Sequence, residues 1–214
     1  MNFLSLDDLP KKIPIFPLTG AVLFPKTQLP LNIFEPRYVQ MLNAALATPQ
    51  KLIGMVQPNS GDDGSLKKVG CVGRVTSYNE TDDHRYLITL NGVIRFEIEN
   101  ELDTTTKYRQ VAVNYENFIT DLTSEDVTNI DRESLLKLIK KYLKNKSLLA
   151  DWDIIKQTPT EQLINYSGVL VPFTPEEKQL LLEAKTIMGR SRALEALYQS
   201  YTVEETADTS TQLH

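Results

Sequence analysis

Short apolar runs separated by prolines fill the segment from Ile13 to Arg37. The runs are Ile15–Phe16, Ala21–Phe24 and Leu29–Phe34, each long enough for a strand and too short for a helix. Proline cannot donate to a sheet ladder, so it is typical of strand starts, edges and bends. Five prolines punctuate these runs, at Pro14, Pro17, Pro25, Pro30 and Pro36. The pattern predicts successive strands broken by kinks, as at the corners of a small barrel.

One helix and four more strands are predicted next. Glu35-Pro36-Arg37 suits a helix start, and apolar residues then recur at helical spacing as far as Pro49. The later strands are expected at Leu52–Val56, Val69–Tyr78, Tyr86–Phe96 and Tyr108–Phe118. Asn91-Gly92 is typical of a tight turn, with a bulge in one continuing strand as the alternative.

The hydrophobic period becomes helical after Phe118. One apolar arc opposes a lysine arc in the predicted helix around 135–146, whose lysines are Lys137, Lys140, Lys141 and Lys144. Thr158-Pro159-Thr160-Glu161 and Thr174-Pro175-Glu176-Glu177 each predict a helix start with a capping threonine. The second helix is expected to carry Ile187 and Met188, and a last helix to run from about Ser191 to Tyr201.

These patterns indicate an α+β fold with two subdomains. We expect a β subdomain at 13–118 and a helical subdomain at 122–201, with the helices packed on the strands. The flanking segments 1–12 and 202–214 are poor in apolar residues and are expected to be flexible.

The order of several motifs resembles the Lon protease amino-terminal (substrate-binding) domain family. The run IFPL is followed by VLFP and LPLNIFEPRY, and later by Gly70–Val75, Leu90–Phe96 and Leu180–Ala184. The resemblance extends from about Ile13 to about Tyr198. It implies a PUA-like β pseudo-barrel followed by a C-terminal α-helical bundle. It also implies a non-catalytic module that recognises exposed apolar segments of client proteins.

The same resemblance separates recognition from catalysis. Lon proteases carry an ATPase phosphate loop and a serine–lysine pair in further domains, and no G-x-x-x-x-G-K-[ST] run occurs here. We therefore expect a stand-alone recognition form that is not an enzyme. No catalytic residue and no cofactor is predicted.

Composition narrows the possible partners. The 214 residues have a net charge of −5, which argues against broad nucleic-acid binding, because phosphate contacts need concentrated Lys and Arg. Cys71 is the single cysteine, no secretory leader is recognisable, and no apolar run reaches the ~20 residues of a membrane helix. We expect a cytoplasmic protein with no membrane contact.

Metal-ligand chemistry is sparse in the sequence. The two histidines are His84 and His214, and Asp82-Asp83-His84 is the one local group with ligand character. A solvated turn explains that group better, and Asp62-Asp63 lacks the glutamate of a calcium loop. Cys71 is interpreted as a small buried apolar residue.

The candidate substrate-binding residues are Phe34, Glu35, Arg37 and Tyr38. A salt bridge at the helix start is an alternative role for Glu35 and Arg37. Arg74 and Arg95 are assigned to structure, and the lysine arc is either a solvated face or a site for an acidic partner or RNA. Phe16, Phe24 and Phe34 are candidates for core positions, one of which could line a groove.

Three functional hypotheses follow. The first is a binder of unfolded or client polypeptides, with a protease as a further partner and a homodimer left open. The others are a PUA-like RNA-binding domain and a small-molecule sensor that uses a groove between barrel and bundle.

Overall fold

The strands form a barrel whose ring closes through one long, bent strand. The computed structural model describes residues 5–61, 63–83 and 85–208. The strands are β1 (Lys12–Pro17), β2 (Gln28–Ile33), β3 (Leu52–Val56), β4 (Val69–Glu80), β5 (Tyr86–Glu101) and β6 (Gln110–Asn114). Their order is β2-β5-β4-β3-β1-β6, and β6 also pairs with β5. The ring therefore holds every strand except β2, which confirms the predicted β pseudo-barrel.

Strand β5 has 16 residues, about three times the usual length of a strand, so it pairs with both β2 and β6 along the edge opposite β4. Its first half pairs with β2 from Tyr86 to Asn91, and its second half pairs with β6 from Glu97 to Glu101. Register shifts mark the places where it bends, next to Gly92 and after Ile98. Only β1 and β3 run parallel; the other pairs are antiparallel. The extra strand β2 is thereby held outside the ring.

The prediction of a turn at Asn91-Gly92 is wrong, because β5 continues through it and the bulge alternative is correct. The chain crosses close to β5 here: Lys26 N donates to Gly92 O (2.9 Å) and Gly92 N donates to Thr27 O (2.8 Å). A Cβ on residue 92 would overlap the Phe24 carbonyl oxygen. Glycine is required by this close approach and not by a hairpin.

The prediction of a strand at Ala21–Phe24 is also wrong. These residues belong to no strand, and Val22, Leu23 and Phe24 are buried. The Phe24 ring lies against Gly168, where a Cβ would come within 2.5 Å of it, and the Arg190 guanidinium lies 5.3 Å from the ring centroid. The segment acts as an apolar wedge between barrel and helices.

The helical residues form α1 (Pro36–Leu46), α2 (Arg132–Asn145), α3 (Trp152–Gln157), α4 (Thr160–Leu170), α5 (Pro175–Glu183) and α6 (Ile187–Asp208). Helix α1 has the predicted bounds and packs on β1 and β3. The other helices come after the last barrel strand in the sequence, and α6 contacts α2, α4 and α5. An aromatic cluster of Tyr142, Phe173, Tyr198 and Tyr201 fills the space between them.

Two predicted helix starts differ in outcome. Thr174 caps α5 as expected: its hydroxyl accepts from Glu177 N (3.2 Å), and the Glu177 carboxylate accepts from Thr174 N (2.8 Å). Thr158 does not cap α4. Its N–H and hydroxyl both donate to Ile154 O, so it ends α3, and α4 begins after Pro159.

Two further boundaries were predicted incorrectly. The strand expected at Tyr108–Phe118 is limited to β6, and a 3-10 segment follows at Glu116–Leu122. Helix α5 ends at Glu183, so Ile187 and Met188 belong to α6, which starts before the expected Ser191. The Glu125 carboxylate accepts from Ile187 N at 2.9 Å and helps to begin α6 there.

A buried arginine connects the barrel to the helices. The Arg95 guanidinium forms two hydrogen bonds with the Asp121 carboxylate, 2.8 and 2.9 Å long, and both side chains are almost fully buried. It also donates to the carbonyls of Leu182 and Ala184 at the end of α5. The predicted structural role of Arg95 is confirmed, and Arg74 likewise donates to the Gln50 carbonyl.

Other buried polar side chains bridge the same two parts. Gln57 donates to the Pro175 carbonyl and to Gln179, which in turn donates to Val69 O. Lys178 donates to Gly20 O, and burial lowers the pKa of its ammonium group. The helices therefore pack on the barrel as expected, and these contacts cross the interface at which a groove is predicted.

The subdomain limits at 13–118 and 122–201, and the flexible termini, stay predictions. Leu9 is buried and the Tyr115 hydroxyl donates to Pro10 O (2.8 Å), while α6 extends past Tyr201 to Asp208. Residues 1–4 and 209–214 lie outside the described residues, as do Asp62 and His84.

Replacing Asp121 by alanine should lower the free energy of unfolding by about 3–5 kcal/mol, because the Arg95 charge would stay buried without its partner. Urea titration followed by circular dichroism measures the change. Asp153→Ala is the matched control, since the Asp153–Lys156 pair is exposed and 3.8 Å apart, and its stability should match the wild type. Equal stability of the two variants would contradict the assignment of Arg95.

Candidate functional site

The four predicted site residues line one groove beside β2. This groove, called here the β2 groove, lies between β2, the end of β1 and the start of α1, and its volume is about 300 Å³. The lining residues are Phe16, Pro17, Leu18, Pro30, Leu31, Asn32, Ile33, Phe34, Glu35, Arg37 and Tyr38. The structure brings Phe34, Glu35, Arg37 and Tyr38 together, and most of the other lining residues are apolar.

Phe34 is the exposed aromatic residue of the groove. It follows Ile33, which is buried, and 59% of its surface is accessible. The Arg85 guanidinium lies 5.6 Å from its ring centroid and is itself paired with Asp83 at 2.8 Å. Of the three phenylalanines considered in this region, Phe16 and Phe24 are core and Phe34 is free to contact a ligand.

Tyr38 forms a wall of the groove from the first turn of α1. It is only 7% exposed, and its ring centroid lies 4.3 Å from that of Phe16. Burial raises the pKa of the Tyr38 hydroxyl, an effect that the Arg37 charge opposes. Most of the Tyr38 surface is therefore buried against other residues of the protein. Tyr38 shapes the groove, and little of its side chain is accessible to a ligand.

Glu35 and Arg37 form the predicted ion pair at the helix start. Arg37 Nη2 lies 2.8 Å from Glu35 Oε2, and its guanidinium lies 4.5 Å from the Tyr38 ring centroid. Both side chains are about half exposed, so the pair stabilises the fold by no more than about 1 kcal/mol. The pair places one positive and one negative group at the rim of an apolar groove.

Strand β2 borders the groove with an edge that has no partner among the described strands. It pairs with β5 on one side only, from Gln28 to Ile33. Alternate residues of an edge strand direct their N–H and C=O groups away from the sheet, where an added strand can bind them. The groove thus combines an apolar lining with free backbone groups.

A second groove, formed by β4, β5 and β2, was missed by sequence analysis. It has a volume of about 480 Å³ and is lined by Ser77–Asn79, Leu87–Thr89 and Pro30–Asn32, the last of which also line the β2 groove. Tyr78 is 58% exposed, and Leu87 is exposed as well. The polar neighbours Ser77 and Asn79 were a signal that this end of β4 leaves the core.

Cys71 is a core residue of β4. The thiol is fully buried, as predicted, and burial raises its pKa well above the ordinary value. Across residues 5–61, 63–83 and 85–208, no group of three or more His, Cys, Asp or Glu could hold a metal ion. The prediction for the Asp82-Asp83-His84 group cannot be compared with the structure, because His84 lies outside the described residues, as does His214.

Comparison with known families decides the family. The model of the ATP-dependent protease La (LON) substrate-binding domain matches residues 12–198. The chain belongs to this family. The match includes the whole barrel, the β2 groove and the helices as far as the first half of α6, in agreement with the resemblance seen in the sequence.

Full-length relatives are much longer than this chain. The Lon protease of Flavobacterium johnsoniae is 29% identical over 204 residues, which is 89% of this chain and 24% of that protein. Lon protease 2 of Sorangium cellulosum is 32% identical over 93 residues, 41% of this chain and 12% of that protein. The chain thus spans about a quarter or less of the curated relatives it matches.

Solved structures confirm the fold. The N-terminal domain of a Mycobacterium avium complex Lon protease has a TM-score of 0.67 at 17% identity, covering 88% of this chain and 98% of that one. The Lon N-terminal domain protein from Xanthomonas campestris has a TM-score of 0.63 at 20% identity, covering 87% and 96%. Among the described residues, no helix combines the length and apolar character needed to cross a membrane.

Tyr38 and Phe34 should respond differently to truncation. Tyr38→Ala removes a buried ring from its contact with Phe16 and should cost about 3–5 kcal/mol of folding free energy. Phe34→Ala removes a mostly exposed ring and should leave the urea midpoint almost unchanged. A large loss of stability in Phe34→Ala would show that Phe34 is a core residue and not a contact residue.

Cys71 should be inert in the native protein. Because its thiol is fully buried and its pKa is raised, Ellman's reagent at about pH 8 should modify it only after denaturant is added. The increase in absorbance measures the reaction. Full modification of the native protein on mixing would contradict the described packing of β4.

Proposed function

We propose that this domain binds extended apolar polypeptide segments in the β2 groove and catalyses no reaction itself. The observation that carries the proposal is an exposed Phe34 at the end of a strand with a free edge, beside an apolar groove. Support for a recognition role comes from the family match, which is to a substrate-binding domain.

Strand addition would give the domain affinity without strict sequence preference. Backbone hydrogen bonds to β2 are common to all client sequences, while alternate client side chains would enter the groove beside Phe16, Leu18 and Leu31. Each buried methylene contributes about 0.8 kcal/mol. Recognition of this kind suits unfolded polypeptides, which expose both their backbone and their apolar side chains.

The ion pair at the rim would adjust this preference. Glu35 and Arg37 neutralise each other at 2.8 Å, so the rim attracts neither acidic nor basic segments strongly. The groove therefore favours uncharged apolar stretches over charged ones. That preference agrees with client segments that are normally buried in a folded protein.

A small-molecule sensor is the weaker alternative. The β2 groove, at about 300 Å³, lies at the lower limit of the ~300–1,000 Å³ typical of ligand pockets. The interface between barrel and helices is crossed by buried contacts such as Gln57–Gln179. Neither feature favours a site that encloses a small molecule.

RNA binding is favoured by one observation and opposed by another. Phe34 and Tyr78 are exposed aromatic rings on which bases could stack, as in single-stranded RNA recognition. The nearby Arg37 and Arg85 are each paired with a carboxylate, Glu35 and Asp83, so little positive charge is left for phosphates. We therefore place RNA second to polypeptides.

A protease partner, the cellular compartment and a homodimer are inferred from general features of the chain. We infer that a protease can receive clients bound by this domain, and that a reducing cytoplasm suits a chain whose one cysteine is free. A homodimer could use the free edge of β2 in place of a client, in which case clients and dimerisation would compete.

The test uses an uncharged, fluorescein-labelled peptide in which valine and phenylalanine alternate with threonine. Phe34→Ser should raise its dissociation constant roughly tenfold, the change expected for one central contact of about 1.4 kcal/mol. Leu170→Ser is the matched control, since Leu170 is an exposed leucine on α4, and it should leave affinity unchanged. Fluorescence anisotropy reports both.

A backbone-modified peptide separates strand addition from simple apolar contact. N-methylation of alternate amides removes the donors needed for pairing with β2, so binding should be largely lost while side chains are retained. Equal binding of the methylated peptide, or equal affinity of Phe34→Ser and Leu170→Ser, would refute the proposal. Displacement of the peptide by a single-stranded RNA oligonucleotide would favour the RNA alternative.

A further inference from the structure

A second surface, on α2, carries concentrated positive charge. Lys137, Lys140, Lys141 and Lys144 are all exposed and lie within an arc of about 100° along about 10 Å of the helix. We call these four residues the lysine face. The opposite side of α2 is buried through Leu135, Ile139 and Tyr142 and packs on α6. The lysine face shares no residue with the β2 groove.

Within the part of the chain that the structure describes, no ion pair shorter than 4 Å is formed by the lysine face; the acidic residue of α2 on its N-terminal side, Glu133, lies four positions before Lys137. Lys26, Arg95 and Arg109, by contrast, each lie within 4 Å of an acidic side chain. The whole chain has a net charge of −5, whereas 134–150 contains five lysines and no acidic residue. The positive charge is therefore concentrated on α2, although the protein as a whole is acidic.

This arrangement costs α2 some stability. The four lysines are one another's neighbours at i,i+3 and i,i+4, and each such like-charge pair destabilises a helix slightly. The helix dipole favours a cation near the C-terminus, which accounts for Lys144 but not for Lys137 or Lys140. A ligand with carboxylates on this face would remove the repulsion.

Exposed apolar residues adjoin the lysine face at the end of α2. Leu149 is 101% exposed, and Leu148 and Ile154 are also exposed. The turn that presents them is fixed: Ser147 has a φ of 51°, and Leu148 N donates to Leu143 O at 2.9 Å. Lys140 lies 5.6 Å from the Trp152 ring centroid, which holds α3 beside the lysines.

The two features together favour one kind of partner. We propose that the lysine face and the Leu148–Leu149 turn bind an acidic polypeptide segment in which carboxylates are followed by bulky apolar side chains. The carboxylates would pair with the lysines, and the apolar side chains would cover Leu148 and Leu149. This docking surface is additional to the proposed client groove and does not depend on it.

Other anionic partners fit the surface less well. Asp151 and Asp153 flank Trp152 beside the exposed leucines, and a continuous anionic bilayer would bring them close to lipid phosphates. RNA recognition is served best by arginine and open aromatic faces, and the lysine face has no arginine while Lys140 lies over Trp152. A peptide, unlike a bilayer, can place its carboxylates beside the lysines and keep them away from Asp151 and Asp153.

The test measures anisotropy of a fluorescein-labelled helical peptide with glutamates at i, i+3 and i+7 followed by two leucines. Lys140→Gln/Lys144→Gln should raise its dissociation constant roughly fivefold, and Leu149→Ser should weaken it independently. Lys11→Gln/Lys107→Gln changes the net charge equally at exposed positions elsewhere and should have no effect. Circular dichroism should show that all variants fold.

Three results would overturn the proposal. They are equal affinity of the two double variants, equal binding of a peptide with the same residues shuffled, and binding that is unchanged between about 50 and about 300 mM salt. Sedimentation with phosphatidylserine vesicles or a shift of single-stranded RNA, without binding of the peptide, would also overturn it. The uncharged groove peptide should bind Lys140→Gln/Lys144→Gln normally, so failure of one proposal leaves the other measurable.

Discussion

The arrangement of this domain depends on the buried ion pair between the Arg95 guanidinium and the Asp121 carboxylate. A buried cation is tolerated only when its charge and its donors are satisfied. Asp121 supplies the opposite charge, the carbonyls of Leu182 and Ala184 accept further hydrogen bonds, and the Phe118 ring lies 4.4 Å from the guanidinium carbon. These partners come from two separate segments, Glu116–Leu122 and the end of α5, so Arg95 joins β5 to both of them. The helices are thereby held against the strands.

The wedge formed by Ala21–Phe24 comes directly before the strand that borders the β2 groove. An apolar run that could have joined the barrel instead passes between barrel and helices, where Gly92 and Gly168 leave room for its backbone and for the Phe24 ring. The next strand, β2, then joins β5 outside the closed ring. One of its edges is left without a partner, next to the end of β1. The wedge thus fills the space between barrel and helices, and the strand that follows it has a free edge beside Phe34.

Two surfaces of different chemistry result from this construction. The β2 groove is apolar, with its charges neutralised in pairs, and it is formed by barrel residues and the first turn of α1. The lysine face is strongly charged and belongs to a helix whose other side is buried against α6. We propose uncharged extended chains as ligands of the first surface and acidic segments as ligands of the second. Binding at the two surfaces would then respond differently to salt and to sequence.

The sequence alone determined the α+β class, the bounds of α1 and β3, the Thr174 capping box and the family, because these depend on periodicity and on contacts between near neighbours. It also placed Phe34, Glu35, Arg37 and Tyr38 together, since they are adjacent in the chain. Only tertiary structure decided that Ala21–Phe24 is a wedge, that Gly92 meets the Phe24 carbonyl and that Thr158 ends a helix. It also decided which phenylalanine is exposed. Each of these depends on atoms brought close from distant positions, and such approach leaves no periodic signal in the sequence.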